Sequence, residues 1–187
     1  MQPRHWFPKH YADEVQRLRV PMGFLMVAAF AWYAEPTRAS LSLGMPVCVL
    51  GLAVRGWASG HLAKNETLTV SGPYSYVRNP LYIGTLLTAA GVVIASRQTG
   101  LAFLFGLVFT LVYLPSIELE EQHLRKLFPA YEDYAMQVPS LLPRWPGLES
   151  PERFRWEVYV RNREYRALLG FAAGVVFLAW RAGLILP

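Results

Sequence analysis

Five blocks of this chain, residues 20–34, 39–54, 79–96, 98–117 and 167–180, contain no Asp, Glu, Lys or Arg. They hold 83 of the 187 residues, so all 31 charged side chains crowd into the other 104. A helix buried in a soluble protein usually keeps a charged stripe toward water, and a helix in lipid needs none. The pattern predicts one domain, 1–187, with an all-α fold: a polytopic integral membrane helical bundle of about five transmembrane helices, the last at about 167–185. Three of the blocks run only 14 to 16 residues, against the roughly 20 apolar residues that cross a bilayer. They become full spans if Arg55 and Arg181 snorkel from span ends and Trp32, Tyr33, Trp57 and Trp180 form an interfacial belt. The bland competitor is a soluble bundle with buried helices, which leaves the missing charges unexplained.

Five spans divide the chain into six flanking segments that alternate sides. Arg4, Lys9, Arg17, Arg19, Arg55, Lys64 and Arg78 fall on one side together with the eight basic residues from Arg125 to Arg166, which places 15 of the 18 basic residues there. Arg38, Arg97 and Arg181 fall on the other. By the positive-inside rule the N-terminus and both long polar segments are expected in the cytoplasm and the C-terminus outside. The net charge of +5 then reads as orientation and attraction to anionic headgroups. No basic stripe interleaved with aromatics marks a nucleic-acid partner. The single cysteine, Cys48, can form no intrachain disulfide and has no metal-site companion. The first six residues lack the apolar core of a signal peptide, so the first span reads as a retained anchor.

Residues 1–19 read as a short interfacial helix, and Pro36 with Thr37 and Arg38 as a tight turn. The polar stretch 58–78 contains Gly60, Gly72, Pro73 and a brief extended run at 67–70. The four-residue link 97–100 makes spans three and four an antiparallel hairpin whose cytoplasmic ends meet. Pro115 is expected to bend or end the fourth span, with helix resuming from 118 to about 137. Pro139, Pro143 and Pro146 forbid regular structure until Pro151, after which 152–166 has helical composition.

Two polar clusters therefore come together at the ends of spans three and four. Gly72 and Pro73 alone are a turn, Arg78, Asn79 and Pro80 alone a helix cap, and Glu120 with Glu121 alone an exposed acidic pair. Adjacent helical residues point about 100° apart, so one glutamate can face a pocket while the other turns to solvent or a basic partner.

Taken together, the stretch 55–146 resembles the isoprenylcysteine carboxyl methyltransferase and phospholipid methyltransferase family of integral membrane enzymes. The likeness rests on Gly-Pro-Tyr-x-Tyr-Val-Arg-x-Pro-x-Tyr-x-Gly at 72–84. About 36 residues later comes Glu-Glu-x-x-Leu-x-x-x-Phe at 120–128, then Tyr131, Tyr134, Val138 and Pro139. The resemblance implies S-adenosylmethionine as methyl donor, held at the cytoplasmic membrane surface without a Rossmann fold, and a lipidic or small hydrophobic acceptor arriving from the bilayer. Carried over by position, the donor pocket comprises His61, Glu66, Thr67, Leu68, Thr69, Tyr74, Asn79, Pro80, Leu81, Tyr82 and Glu120, with Arg78 and Glu121 as catalytic candidates and no metal. A carboxylate such as Glu120 can hold ribose hydroxyls or the donor's amino end, and Tyr74 and Tyr82 suit adenine or a sulfonium.

Two departures stand out. Asn79 replaces a histidine found in many members, and Ser116 occupies the position of an arginine implicated in substrate handling in the eukaryotic isoprenylcysteine enzymes. The second argues against a prenylcysteine carboxylate as acceptor, because a desolvated carboxylate needs a cation. A phospholipid amine acceptor, or a silent scaffold that binds lipid, stays open, as does the need for a base.

Overall fold

The computed structural model describes residues 7–185, and among them every regular element is helical. Helix α1 (Lys9–Tyr33) is followed by α2 (Arg38–Ser59), a 3-10 turn (Gly72–Ser75), α3 (Pro80–Ser96) and α4 (Thr99–Val108). A π-helical turn (Phe109–Tyr113) joins α4 to α5 (Leu114–Leu127), and α6 (Tyr131–Gln137), α7 (Trp156–Arg161) and α8 (Tyr165–Arg181) complete the chain. Each of the five charge-free blocks lies, to within one residue at its ends, in a helix or helical run. Two runs, Arg38–Ser59 and Thr99–Leu127, are long and apolar enough to cross a membrane, and Pro80–Ser96 is apolar but shorter.

The centre of the bundle is the α2–α3 pair, and glycine makes it. A Cβ on Gly51 would lie 2.5 Å from the Thr88 nitrogen and 2.6 Å from the Gly84 oxygen, and one on Gly91 would lie 2.5 Å from the Cys48 sulfur. Gly44 and Gly51 thus face Gly91 and Gly84, each pair one heptad apart, and the two backbones run in contact. Along α2 the small residues Gly44, Cys48, Gly51 and Ala58 are buried, while Leu43, Val49, Leu50 and Trp57 are exposed. Small residues inside and large apolar ones outside is the packing of helices in lipid, where close backbone approach replaces a hydrophobic driving force.

Helix α1 lies along the long α4–α5 run through Val15, Val108 and Val112, joined by Tyr11, Met22 and Met26. The expected interfacial helix at 1–19 is, from Lys9 onward, continuous with the first apolar block; its first six residues lie outside the described range, as does Arg4. At the end of the bundle away from the two motifs, Arg181 donates to the carbonyls of Ala31 and Trp32 at 2.7 Å each. The Glu35 amide there donates to the Ser96 carbonyl.

Three expectations change. Pro115 neither ends nor interrupts its helix. It removes the amide that would pair with the Leu111 carbonyl, and that carbonyl accepts the Tyr11 hydroxyl at 2.7 Å instead. The Ser116 hydroxyl takes the neighbouring Val112 carbonyl at 2.7 Å, and the π turn before the proline absorbs the misfit. The helix stops later, at Phe128, where Pro129 follows, and a separate short helix begins at Tyr131. The stretch 152–166 is not one helix: α7 has six residues, and Arg163 adopts a left-handed φ of 55° before α8. Finally, Arg55 turns inward rather than snorkelling, because Glu164 meets it at 2.6 Å and Thr85 and the Leu81 carbonyl take its remaining donors.

Candidate active site

The segment after α2 loops back over the end of α3 and is held there by backbone pairing. The Arg78 amide donates to the Pro139 carbonyl and the Asn79 amide to the Ser140 carbonyl, so the first motif is bound directly to the chain that follows the second. Gly72 permits the turn: its φ is +57°, and a Cβ there would strike the His61 ring at 2.6 Å.

The two glutamates diverge as helical geometry requires. Glu121 meets Arg78 in a bidentate pair, with Nε to Oε1 at 3.1 Å and Nη2 to Oε2 at 2.9 Å. It also accepts Asn79 Nδ2 at 2.8 Å and Ser140 Oγ at 2.7 Å. The remaining Arg78 donor reaches the carbonyls of Ala135 and Val138. Burial works against the Arg78 charge, but the hydrogen bond and charge of Glu121 outweigh it and hold the guanidinium above its ordinary value. Every strong donor and acceptor in this cluster is matched, so it is a joint between the two motifs.

Glu120 points the other way and accepts the Tyr82 hydroxyl at 3.1 Å. It borders a cavity of about 520 Å³ that Thr67, Leu68, Thr69, Tyr74, Arg78, Asn79, Pro80, Leu81 and Tyr82 also line. Ten of the thirteen residues named from the sequence thus surround one space, of a size typical of small-molecule sites. The other three do not line it. Glu121 is held in the joint. Glu66 pairs with Arg161 at 3.1 Å on the surface. His61 is buried, its Nδ1 2.9 Å from the Ser71 hydroxyl, which in turn donates to Glu152.

Aromatic residues form the floor. Tyr131 and Tyr134 meet edge to face, and the Tyr134 hydroxyl donates to the Tyr74 carbonyl at 2.7 Å. Burial raises all three of these phenols, and Glu120 adds to the effect at Tyr74; they stay protonated. The Tyr131 hydroxyl is buried without a hydrogen-bond partner among the described residues. The residues therefore fit a nucleoside carrying a charged tail: flat rings for a base, an acceptor carboxylate, and spare hydroxyls.

Two features escaped the sequence. Asp13, Gln16 and Arg19 of α1 also line the cavity, although nothing in the motifs refers to α1. A second, apolar cavity of about 650 Å³ lies among α1, α2, α3, α4 and α8, with Arg55, Thr85 and Tyr113 among its walls. Tyr113 meets Tyr82 edge to face, with ring centroids 6.3 Å apart, so one aromatic pair separates the two spaces. Among the described residues no group of three or more His, Cys, Asp or Glu stands where it could hold a metal ion.

A polar cavity walled by two motifs and abutting an apolar one, on a bundle with an apolar exterior, defines a class of site. Residues 42–131 match the phospholipid methyltransferase family model. The chain is 35% identical over 106 residues to the cobalt-zinc-cadmium resistance protein CzcN of Cupriavidus metallidurans, a match covering 56% of this chain and 49% of that one. It is 32% identical over 133 residues to the nickel-cobalt-cadmium resistance protein NccN of Alcaligenes xylosoxydans xylosoxydans, covering 67% and 62%. It is 30% identical over 144 residues to the protein-S-isoprenylcysteine O-methyltransferase of Schizosaccharomyces pombe, covering 74% and 61%. No solved structure matches the chain. These matches support the resemblance of this segment to the isoprenylcysteine carboxyl methyltransferase and phospholipid methyltransferase family, and the chain spans only about half to three fifths of the length of these relatives.

Proposed function

We propose that this chain is a membrane-embedded methyltransferase that passes a methyl group from S-adenosylmethionine to a lipidic or small hydrophobic acceptor. The observation that carries the reading is the meeting of the two family motifs around one cavity, with Glu120 and Tyr82 in contact across it. The five charge-free helices cross the bilayer, and the motif end, where most basic residues gather, faces the cytoplasm.

In this reading the donor supplies an electrophilic methyl on a sulfonium, whose positive charge is neutralised as the nucleophile approaches. The chain's work is alignment and the exclusion of water. Tyr74 and Tyr82 offer ring faces and Glu120 its open carboxylate lone pairs, while the 67–69 segment borders the same space. Arg78 and Glu121, the catalytic candidates of the sequence, act as positioning residues: their mutual pair fixes the Asn79–Tyr82 turn against α5. The acceptor occupies the apolar cavity and meets the donor past the Tyr82–Tyr113 pair. A carboxylate acceptor gives up no proton in the transfer, and an amine gives up one.

The test is to incubate the protein in nanodiscs with methyl-labelled S-adenosylmethionine and a total lipid extract. Label in the organic phase, absent with Glu120→Ala, is expected. A silent scaffold would bind the donor or lipid without transferring label.

A further inference from the structure

We propose that Arg19, on a helix outside the family-matched segment, holds the α-carboxylate of the methyl donor. The inference rests on the donor reading above and assigns it a residue that neither motif contains.

Tyr11, Val15 and Arg19 follow one another at helical spacing on a single face of α1. The first two are fixed against the long α4–α5 run, Tyr11 through its hydrogen bond to the Leu111 carbonyl and Val15 through Val108 and Val112. Met22 and Met26 continue the contact beyond. Arg19 lies between two packed positions, Val15 and Met22, and its Nη1 donates to the Tyr82 hydroxyl of α3 at 3.3 Å. That hydroxyl donates in turn to Glu120. Among the described residues no carboxylate pairs with Arg19.

At this point of the cavity wall a positive side chain, Arg19, and a negative one, Glu120, are separated by a single phenol oxygen. An α-amino acid end has the complementary arrangement, a carboxylate and an ammonium on one carbon. The guanidinium fork suits the carboxylate, and Glu120 suits the ammonium. The other cations lining the cavity fit less well. Arg78 is spent on Glu121, and Lys64 and Lys126 offer point charges on flexible stems rather than a planar fork.

The test measures affinity, not turnover. The protein in nanodiscs is titrated calorimetrically with S-adenosylmethionine and with its decarboxylated analogue, which lacks only that carboxylate. Wild type is expected to prefer the complete donor by about tenfold or more, the size of one charge-assisted pair. Arg19→Gln should abolish the preference by weakening the complete donor alone, its unchanged affinity for the analogue showing that the site is intact. Arg19→Lys should restore part of it. Equal loss for both ligands, no loss for either, or a preference removed by Lys126→Gln instead would overturn the assignment while leaving the donor reading standing. Failure of wild type to bind either ligand would overturn both.

Discussion

Glu120 and Glu121 are adjacent in sequence and turn to different partners, Glu120 to Tyr82 and Glu121 to Arg78, Asn79 and Ser140. Their divergence was legible from helix geometry alone, and so was a basic partner for one of them. What the sequence hid was the completeness of the Glu121 shell, because Ser140 comes from a segment whose only local signal is its prolines. The two residues should therefore fail differently. Glu121→Gln breaks a nearly buried bidentate pair and should cost about 2–4 kcal/mol of stability, read as a lowered thermal midpoint. Glu120→Ala should leave that midpoint nearly unchanged while weakening donor affinity by about ten- to a hundredfold, since it removes a charge-assisted contact. Equal thermal losses would show that Glu120 also belongs to the joint. Tyr11 shows the limit of residue-level reading: nothing near it in sequence announces that it caps a carbonyl exposed by Pro115, a hundred residues away.

At the scale of elements, the helices could be read because charge-free runs and helical spacing are local, while their junctions could not. The π turn at Phe109–Tyr113 depends on partners that α1 brings to the helix, and the break after Leu127 depends on Pro129 rather than on Pro115. Gly44 and Gly51 stand seven residues apart, as do Gly84 and Gly91, a spacing that the sequence left unmarked and the structure pairs. Because Cβ atoms there would overlap backbone, Gly51→Leu should separate α2 from α3 and abolish the folded state in detergent; Gly106→Ala, which meets nothing within 4 Å, should be neutral. The loop between these helices carries a pH dependence. Burial holds the His61 imidazole below its ordinary 6.5, opposed by Glu152 and aided by Arg155. The native state binds that proton less well than the unfolded chain, so the contribution is complete above about pH 6.5 and lost as pH falls below it. The thermal midpoint should drop on acidification through that window, and His61→Gln should remove that component of the slope.

At the scale of the molecule, the family resemblance named ten of the residues that wall the cavity, seven of them in two motifs that the fold brings together. It was blind to α1 and to the apolar chamber, which are built from residues with no motif and only a shared apolar character. The chamber bears on the acceptor. Ser116 is buried against its own helix, Arg78 is bound to Glu121, Arg125 to Glu132 at 2.6 Å, and Arg55 to Glu164. No unpaired arginine among these is left for a carboxylate, so a farnesylcysteine analogue should be methylated poorly compared with a prenylcysteine enzyme. Efficient turnover, undiminished by replacing Arg78 or Arg125, would refute that expectation. The central claim, that the two motifs enclose a donor site, is tested most directly by calorimetric titration of the purified protein in nanodiscs with S-adenosylhomocysteine. One site per chain, weakened at least tenfold by Glu120→Ala and retained by Glu66→Ala, is the predicted result; no binding, or binding indifferent to Glu120, would contradict it.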